Sequence, residues 1–556
     1  MRSHITTKGL ERATHRALYY SMGHLPEDLD KKPLIAIVNT HNETMPGHMH
    51  LDSIAKAARE GVLAAGGIPI EFSTIGICDG IAMGHYGMHY PLASRELICD
   101  SVECMVNAHQ YDAMVLVTNC DKITPGLLMA AVRLNIPSIM ISGGTMATGC
   151  VDGEEIGFTD LMAAQGEVAR GLITLGELGR RERDALPGCG ACNLLGTANS
   201  MNFLTEALGM ALPGSTAPAA SGRRLALAKE TGKKIMELFH KNILPSSIIT
   251  LEAIENAIAV DLAIGGSTNT VLHLTALAKE AGLDFDINTF AKKAQTNPYL
   301  VKMKPATGGH YPADLHRAGG IAALMNVLAQ NGLIHKDALT VSGKTIGENV
   351  QGAKVIDEDV IRPMSNPYSF KGGLQILYGN LAPEGAICKS AAVAPEMMHH
   401  QGPARVFEQE EPAVAAIYGG KINPGDVVVV RYEGPKGGPG MREMLLPSSA
   451  IVGMGLSKEV ALITDGRFSG ATAGAAVGHI SPEAAEGGPI ALIEEGDIVE
   501  IDITSGKIQL HVDDQELTRR RALWQPPVQD HVKKGSYLQR YANMVSSAMS
   551  GAVFKS

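Results

Sequence analysis

The run Met114-Val115-Leu116-Val117-Thr118 leads straight into Asn119-Cys120-Asp121-Lys122-Ile123-Thr124-Pro125-Gly126, and Leu127 to Leu134 then takes up helical spacing. The same alternation recurs upstream. Leu34 to Val38 reads as a strand, His50 to Ala65 as a helix stopped by Gly66-Gly67, Ile68 to Thr74 as a strand and Leu92 to His109 as a helix; Pro137 to Ser142 is a further strand. Repeated strand–helix–strand units predict an α/β fold, a doubly wound parallel sheet with helices on its faces. In such sheets ligands bind beyond the carboxyl ends of the strands. Cys120, Asp121 and Lys122 therefore stand where a ligand sits. Sulfur suits iron and carboxylate oxygen suits magnesium.

After about residue 370 the texture changes to short strand-like runs: Ala404 to Phe407, Asp426 to Tyr432, Pro489 to Ile493, Asp497 to Ile503 and Lys507 to Val512. Turns such as Asn423-Pro424-Gly425 and Thr504-Ser505-Gly506 separate them. We expect an N-terminal α/β domain over 1–365 that carries the cluster and metal ligands. A C-terminal β-rich, barrel-like domain over 366–556 then closes the active site, with the boundary near Ser365-Asn366-Pro367. A chain of 556 residues exceeds what one core supports.

A net charge of -10 and the lack of a long basic run argue against nucleic acid or an anionic membrane as partner. No apolar stretch is long enough for a bilayer, and Met1 to Lys8 lacks the apolar core of a secretory signal, so a cytoplasmic protein is expected. Its eight cysteines are then mostly reduced. Cys99 and Cys104, within a helical pattern, read as small buried hydrophobes.

Several loops carry residues suited to chemistry. Gly188-Cys189-Gly190-Ala191-Cys192-Asn193 places a Cys-x-x-Cys among glycines, a spacing shared by zinc sites, redox disulfides and iron–sulfur clusters. There is no second such pair for structural zinc. Cys120 with Cys189 and Cys192 makes three thiolates, which leaves one iron of a cluster open as a Lewis acid. Asp79, in Cys78-Asp79-Gly80, and Asp121 follow different strands and can converge over one crevice, although an Asp before Gly is more commonly a turn or cap residue. Glu443 ends the glycine-rich run Glu433 to Glu443, which brings backbone close to a ligand or forms a flexible loop. Ser469, in Thr464-Asp465-Gly466-Arg467-Phe468-Ser469-Gly470, follows a strand at Val460 to Ile463 and is a candidate nucleophile or base without the hydrolase Gly-x-Ser-x-Gly pattern. Gly265 to Thr270 either cradles an anion or caps a helix.

Taken in order, these motifs resemble the dihydroxy-acid dehydratase family, which also contains sugar-acid and 6-phosphogluconate dehydratases. The stretches that carry the resemblance are Asp79 to His85, Ser94-Arg95-Glu96, Asn119 to Gly126, Cys192 to Asn199, Gly265 to Thr270, Gly434 to Glu443 and Thr464 to Gly470. Thr197 to Asn202 and His479-Ile480-Ser481-Pro482-Glu483 resemble the branched-chain amino-acid enzyme more than its sugar-acid relatives.

The resemblance implies a hydro-lyase that converts 2,3-dihydroxyisovalerate and 2,3-dihydroxy-3-methylvalerate to 2-keto acids in valine and isoleucine biosynthesis. The alternatives are a sugar-acid dehydratase and, more distantly, a non-catalytic iron–sulfur or redox protein. It also implies Cys120 and Cys192 as cluster ligands, and Asp79, Asp121, Glu443 and a carbamylated Lys122 as Mg2+ ligands. Ser469 becomes the base, and the protein a homodimer. Relatives with a 2Fe–2S cluster carry a third cysteine where this chain has Gly47. Cys189 is the substitute, in a cluster of either 4Fe–4S or 2Fe–2S type.

Overall fold

The computed structural model describes residues 1–306, 308–468, 472, 474–526 and 532–555. Four parallel strands, β1 (Leu34–Asn39), β2 (Ile68–Ser73), β3 (Ala113–Thr118) and β4 (Ser138–Ser142), form a sheet in the order β2-β1-β3-β4. Every residue of β1, β3 and β4 is buried, which suits their uninterrupted apolar sequence and covered faces. The crossovers are α1 (Leu51–Ala64), α2 (Tyr90–His109) and α3 (Ile123–Leu134). The chain steps one way from β1 to β2 and the other way from β2 through β3 to β4. Right-handed crossovers therefore put α1 on one face and α2 and α3 on the other. The point of reversal lies between β1 and β3, where Asn39 pairs with Val117; a crevice opens there beyond the strand ends.

A helical layer completes this half: α4 (Thr197–Ala207), α5 (Gly222–Lys241), α6 (Leu251–Ile264) and α7 (Asn269–Glu280). Helix α5 packs along α1, and Gly61 of α1 meets Gly232 of α5 so closely that a side chain on either would strike the opposing backbone.

The second half contains an eight-stranded sheet: β5 (Gln375–Leu377), β6 (Gly385–Cys388), β7 (His399–Phe407), β8 (Val427–Val430), β9 (Ala461–Thr464), β10 (Ala476–Ser481), β11 (Ile498–Asp502) and β12 (Lys507–Leu510). Their order is β12-β11-β7-β8-β9-β10-β6-β5. The edges meet: the Tyr378 N–H donates to the Gly506 carbonyl at 2.9 Å and the Ile508 N–H to the Tyr378 carbonyl at 3.0 Å, closing a barrel. Along β8, Val427 and Val429 fill the barrel while Val428 and Val430 pack outward with Ala413, Ile417 and Ile451. That is the two-residue period of a strand buried on both sides.

Two expectations need correction. Pro489–Leu492 is a 3-10 helix, because Pro489 at its start brings no N–H to a ladder and fixes a helical φ. Cys99 is buried but Cys104 is exposed. The β-rich half also carries helices, including α8 (Leu446–Gly453), which packs with the outer valine layer.

Candidate active site

Asp79 follows β2, Asp121 and Lys122 follow β3, and Glu443 arrives from the barrel half. The three carboxylates present oxygens within 4.8 Å of one another, a set that can hold a metal ion. Lys122 lies among them, its Nζ 2.5 Å from Asp79 Oδ2, 2.8 Å from Glu443 Oε2 and 3.1 Å from Asp121 Oδ2. Arg467 also donates to Glu443 and lies 3.7 Å from Asp79. Lys122 and Glu443 are each 1 % exposed.

Burial and Arg467 disfavour the Lys122 cation, but Asp121, Asp79 and Glu443 outweigh them and its pKa rises. Burial pushes Asp79 up to about 7, with Asp121 and Glu443 adding to the effect. Asp79 Oδ1 is buried without a hydrogen-bond partner. An unsatisfied carboxylate oxygen in a hard-donor set fits a divalent cation.

Glu443 reaches this place because the loop before it presses onto the first half. Gly440 has φ +91°, and a Cβ there would lie 1.7 Å from the His89 carbonyl oxygen. His89 Nδ1 in turn bonds the Pro439 carbonyl at 2.9 Å. The Met444 N–H donates to the Arg467 carbonyl at 2.8 Å, aligning the Glu443 loop with the loop after β9.

The sulfur side adjoins. A cleft is lined by Cys78, Cys120 and Cys192 together with Asp79, Asp121 and Glu443. Cys120 sits at the sheet's reversal point against Gly47, where a Cβ would come 2.3 Å from its sulfur. Burial drives the Cys120 thiol far above its ordinary pKa and the Cys192 thiol to about 12; neighbouring sulfurs add to both. Such thiols stay protonated until a metal displaces the proton. Three thiols around one cleft, with a side-chain-free wall at Gly47, fit an iron–sulfur cluster.

The second layer holds residues that the sequence did not single out. His48 Nε2 accepts the Cys120 N–H at 3.0 Å and its Nδ1 bonds the Thr40 carbonyl at 2.7 Å, which assigns the proton to Nδ1. Burial lowers its pKa to about 4. Asn119 donates to the carbonyls of Gly47 and Gly144. Asn199 donates to the carbonyls of Cys192 and Leu194 at 2.7 and 2.8 Å, and Asn202 to that of Asn119 at 2.8 Å. Two asparagines three residues apart on α4 thus hold both cysteine loops, an i, i+3 pairing visible in the sequence only once the loops are known to converge.

Asn269, at the start of α7, donates to Glu443 Oε2 at 3.2 Å and to the Phe468 carbonyl at 3.3 Å. The Gly265 to Thr270 segment therefore serves the carboxylate site through an amide side chain, and Thr268 supplies no side-chain cap. Cys189 is partly exposed in the same loop as Cys192 and does not line the cleft. Ser469 lies outside the described residues.

The N-terminal profile of the dihydroxy-acid/6-phosphogluconate dehydratases matches residues 32–349, and the C-terminal profile matches residues 359–552. The dihydroxy-acid dehydratase of Caldanaerobacter subterraneus subsp. tengcongensis is 56% identical over 556 residues, covering 100% of this chain and 99% of the relative. Those of Moorella thermoacetica and Pyrococcus abyssi are each 55% identical over 556 residues, with 100% of both chains covered.

Proposed function

The chain belongs to the dihydroxy-acid/6-phosphogluconate dehydratase family, and on that premise we propose that it removes water from 2,3-dihydroxy carboxylic acids to give 2-keto acids. It is a hydro-lyase of valine and isoleucine biosynthesis, acting on 2,3-dihydroxyisovalerate and 2,3-dihydroxy-3-methylvalerate. The observation that carries this reading is the full-length identity to dihydroxy-acid dehydratases, joined to one cleft that offers soft sulfur and hard oxygen donors side by side.

In the reaction the C2–H and C3–OH bonds break, water leaves, and the resulting enol tautomerises to the 2-keto acid. Cys120 and Cys192 would hold the cluster, and Asp79, Asp121 and Glu443 the Mg2+. When bound, these groups would supply Lewis acidity for the C3 hydroxyl and charge stabilisation beside the substrate carboxylate. Lys122 as an ammonium competes with a cation for the same three carboxylates. As a carbamate it becomes a fourth oxygen donor, so the carbamate is the form we assign to the metal-loaded protein.

Ser469 is the base that takes the C2 proton. Its neighbour in sequence, Phe468, is tied through Asn269 to Glu443, which sets Phe468 beside the hard donors. Arg467, buried against Glu443 and Asp79, holds those carboxylates in place and opposes the rise that burial imposes on Asp79. We further place the enzyme in the cytoplasm as a homodimer; among the described residues no helix is long and apolar enough to cross a membrane.

The cleft wall favours the branched-chain substrate over a sugar acid. Met83, Phe158 and Leu194 give it an apolar side that suits methyl branches, with Thr197 and Asn199 as its polar residues besides the carboxylates. The test is a substrate panel on anaerobically purified protein. Keto-acid formation from 2,3-dihydroxyisovalerate is expected to exceed that from gluconate at least about 100-fold. Equal or faster turnover of gluconate would transfer the assignment to the sugar-acid branch.

A further inference from the structure

Resting on the cluster reading above, we propose that Cys78 is the third protein thiolate of the iron–sulfur cluster, in place of Cys189. The usual third position of the 2Fe–2S relatives is Gly47 here, and that glycine abuts the Cys120 sulfur. Of the two cysteines that can make up the loss, Cys78 lines the cleft with Cys120 and Cys192, whereas Cys189 does not. Cys120 feels the charge of Cys78 and of Cys192, and Cys192 feels that of Cys78, whereas Cys189 figures in neither environment.

The environment of Cys78 is that of a ligand. The N–H groups of Ile81 and Gly80 donate to its sulfur. Such bonds tune the potential of a cluster the sulfur holds. Cys189 has only its own backbone N–H. Nor are the three thiols arranged for a single ion. Zinc draws its sulfurs to about 4 Å from one another, yet among the described residues only the carboxylates form a trio that close. A 4Fe–4S cluster, in which each of three cysteines takes its own iron, accepts the wider set.

The assignment also has a mechanistic consequence. Cys78 and Asp79 are consecutive, as are Cys120 and Asp121, so two loops each give one sulfur to the cluster and one oxygen to the hard-metal site. The two centres are thereby spaced by the backbone itself.

The test uses the full chain, purified anaerobically and reconstituted with iron and sulfide, in four forms: wild type, Cys78→Ala, Cys78→Ser and Cys189→Ala. Iron and sulfide per chain, visible absorption and the EPR spectrum of the reduced protein are the readouts. Circular dichroism serves as the fold check. We expect Cys189→Ala to keep wild-type iron and spectrum and Cys78→Ala to lose at least half of its iron. Cys78→Ser should hold iron with shifted g-values, because a serine oxygen replaces sulfur; a residue that only supports the fold would not move them. Folded Cys78→Ala with wild-type iron and an unchanged EPR signal would overturn the assignment. If Cys78→Ala does not fold, unshifted g-values in iron-loaded Cys78→Ser would do so. Wild type that takes up no iron and sulfide would instead defeat the cluster reading on which it rests.

Discussion

At the scale of single residues, the sequence pointed to the loops that line the cleft. Asp79, Asp121 and Cys120 were legible from the rule that α/β sheets bind at the carboxyl edge, Cys192 from its Cys-x-x-Cys spacing and Glu443 from its glycine-rich run. His48, Asn119, Asn199 and Asn202 were not, since their partners are backbone atoms of distant loops. A sequence window carries no trace of such partners. His48 makes this support testable. Its proton-free Nε2 is needed to accept the Cys120 N–H, and its pKa of about 4 lies below the ordinary 6.5. As pH falls through 6.5 the unfolded chain takes up a proton that the folded chain refuses, so stability is lost down to about pH 4 and no further from this group. The loss amounts to about 3 kcal/mol. Denaturant titrations of the apoprotein should show the gap between wild type and His48→Asn shrinking by about that much from pH 7 to pH 4; a constant gap would count against it. Ser469→Ala should keep iron and Mg2+ and lose at least about 100-fold in turnover. A fall of only a few-fold would reduce Ser469 to a turn residue.

At the scale of elements, strands and helices of the parallel sheet were legible within a residue or two, because their apolar runs have one period and firm stops; the exception is α3, which starts at Ile123, four residues before the apolar spacing at Leu127 shows it. Pro489–Leu492 misled for a local reason: four apolar residues fit a strand or a buried 3-10 turn equally well until the proline's missing N–H is weighed. The glycine-rich run before Glu443 was undecided between a ligand loop and a flexible one. The structure shows a pressed contact, with Gly440 against His89. Gly440→Ala must therefore move that loop off the first half and take up a left-handed φ as well. We expect a loss of roughly 2 kcal/mol or more in stability and about a tenfold weaker Mg2+ affinity by calorimetry. Unchanged affinity would show that the loop does not position Glu443.

At the scale of the whole molecule, the two halves are joined by buried polar groups as well as by packing. Arg95 on α2, fully buried, pairs with Glu96 and donates to the carbonyls of Gly551 and Ala552 at 2.9 and 2.7 Å. Around it Leu92, Leu272, Met441 and Tyr541 form one apolar cluster drawn from both halves. Arg95→Leu would strand Glu96 and two carbonyls; the loss expected is about 3–5 kcal/mol, read as a lower Tm. An unaltered Tm would show that the apolar contacts alone hold the seam. Glu443→Gln probes the same junction chemically. It should weaken Mg2+ binding while iron content stays at the wild-type level, and loss of iron with Mg2+ affinity intact would reverse the donor assignment.

Lys122 and Glu443 touch across 321 positions of chain. The entropy of closing so long a loop grows only as a logarithm, so the span costs the finished protein little. Its effect is on the order of events in time. Contacts between neighbours in sequence form early and distant ones late, so the βα units that carry Cys78 and Cys120 take shape before the glutamate arrives from the barrel. For that interval the nascent cleft lacks one wall, and its thiols are more open than in the mature protein, where Cys78, Cys120 and Cys192 are partly exposed. A metal that arrives during that stage meets a wider site than one that arrives after it.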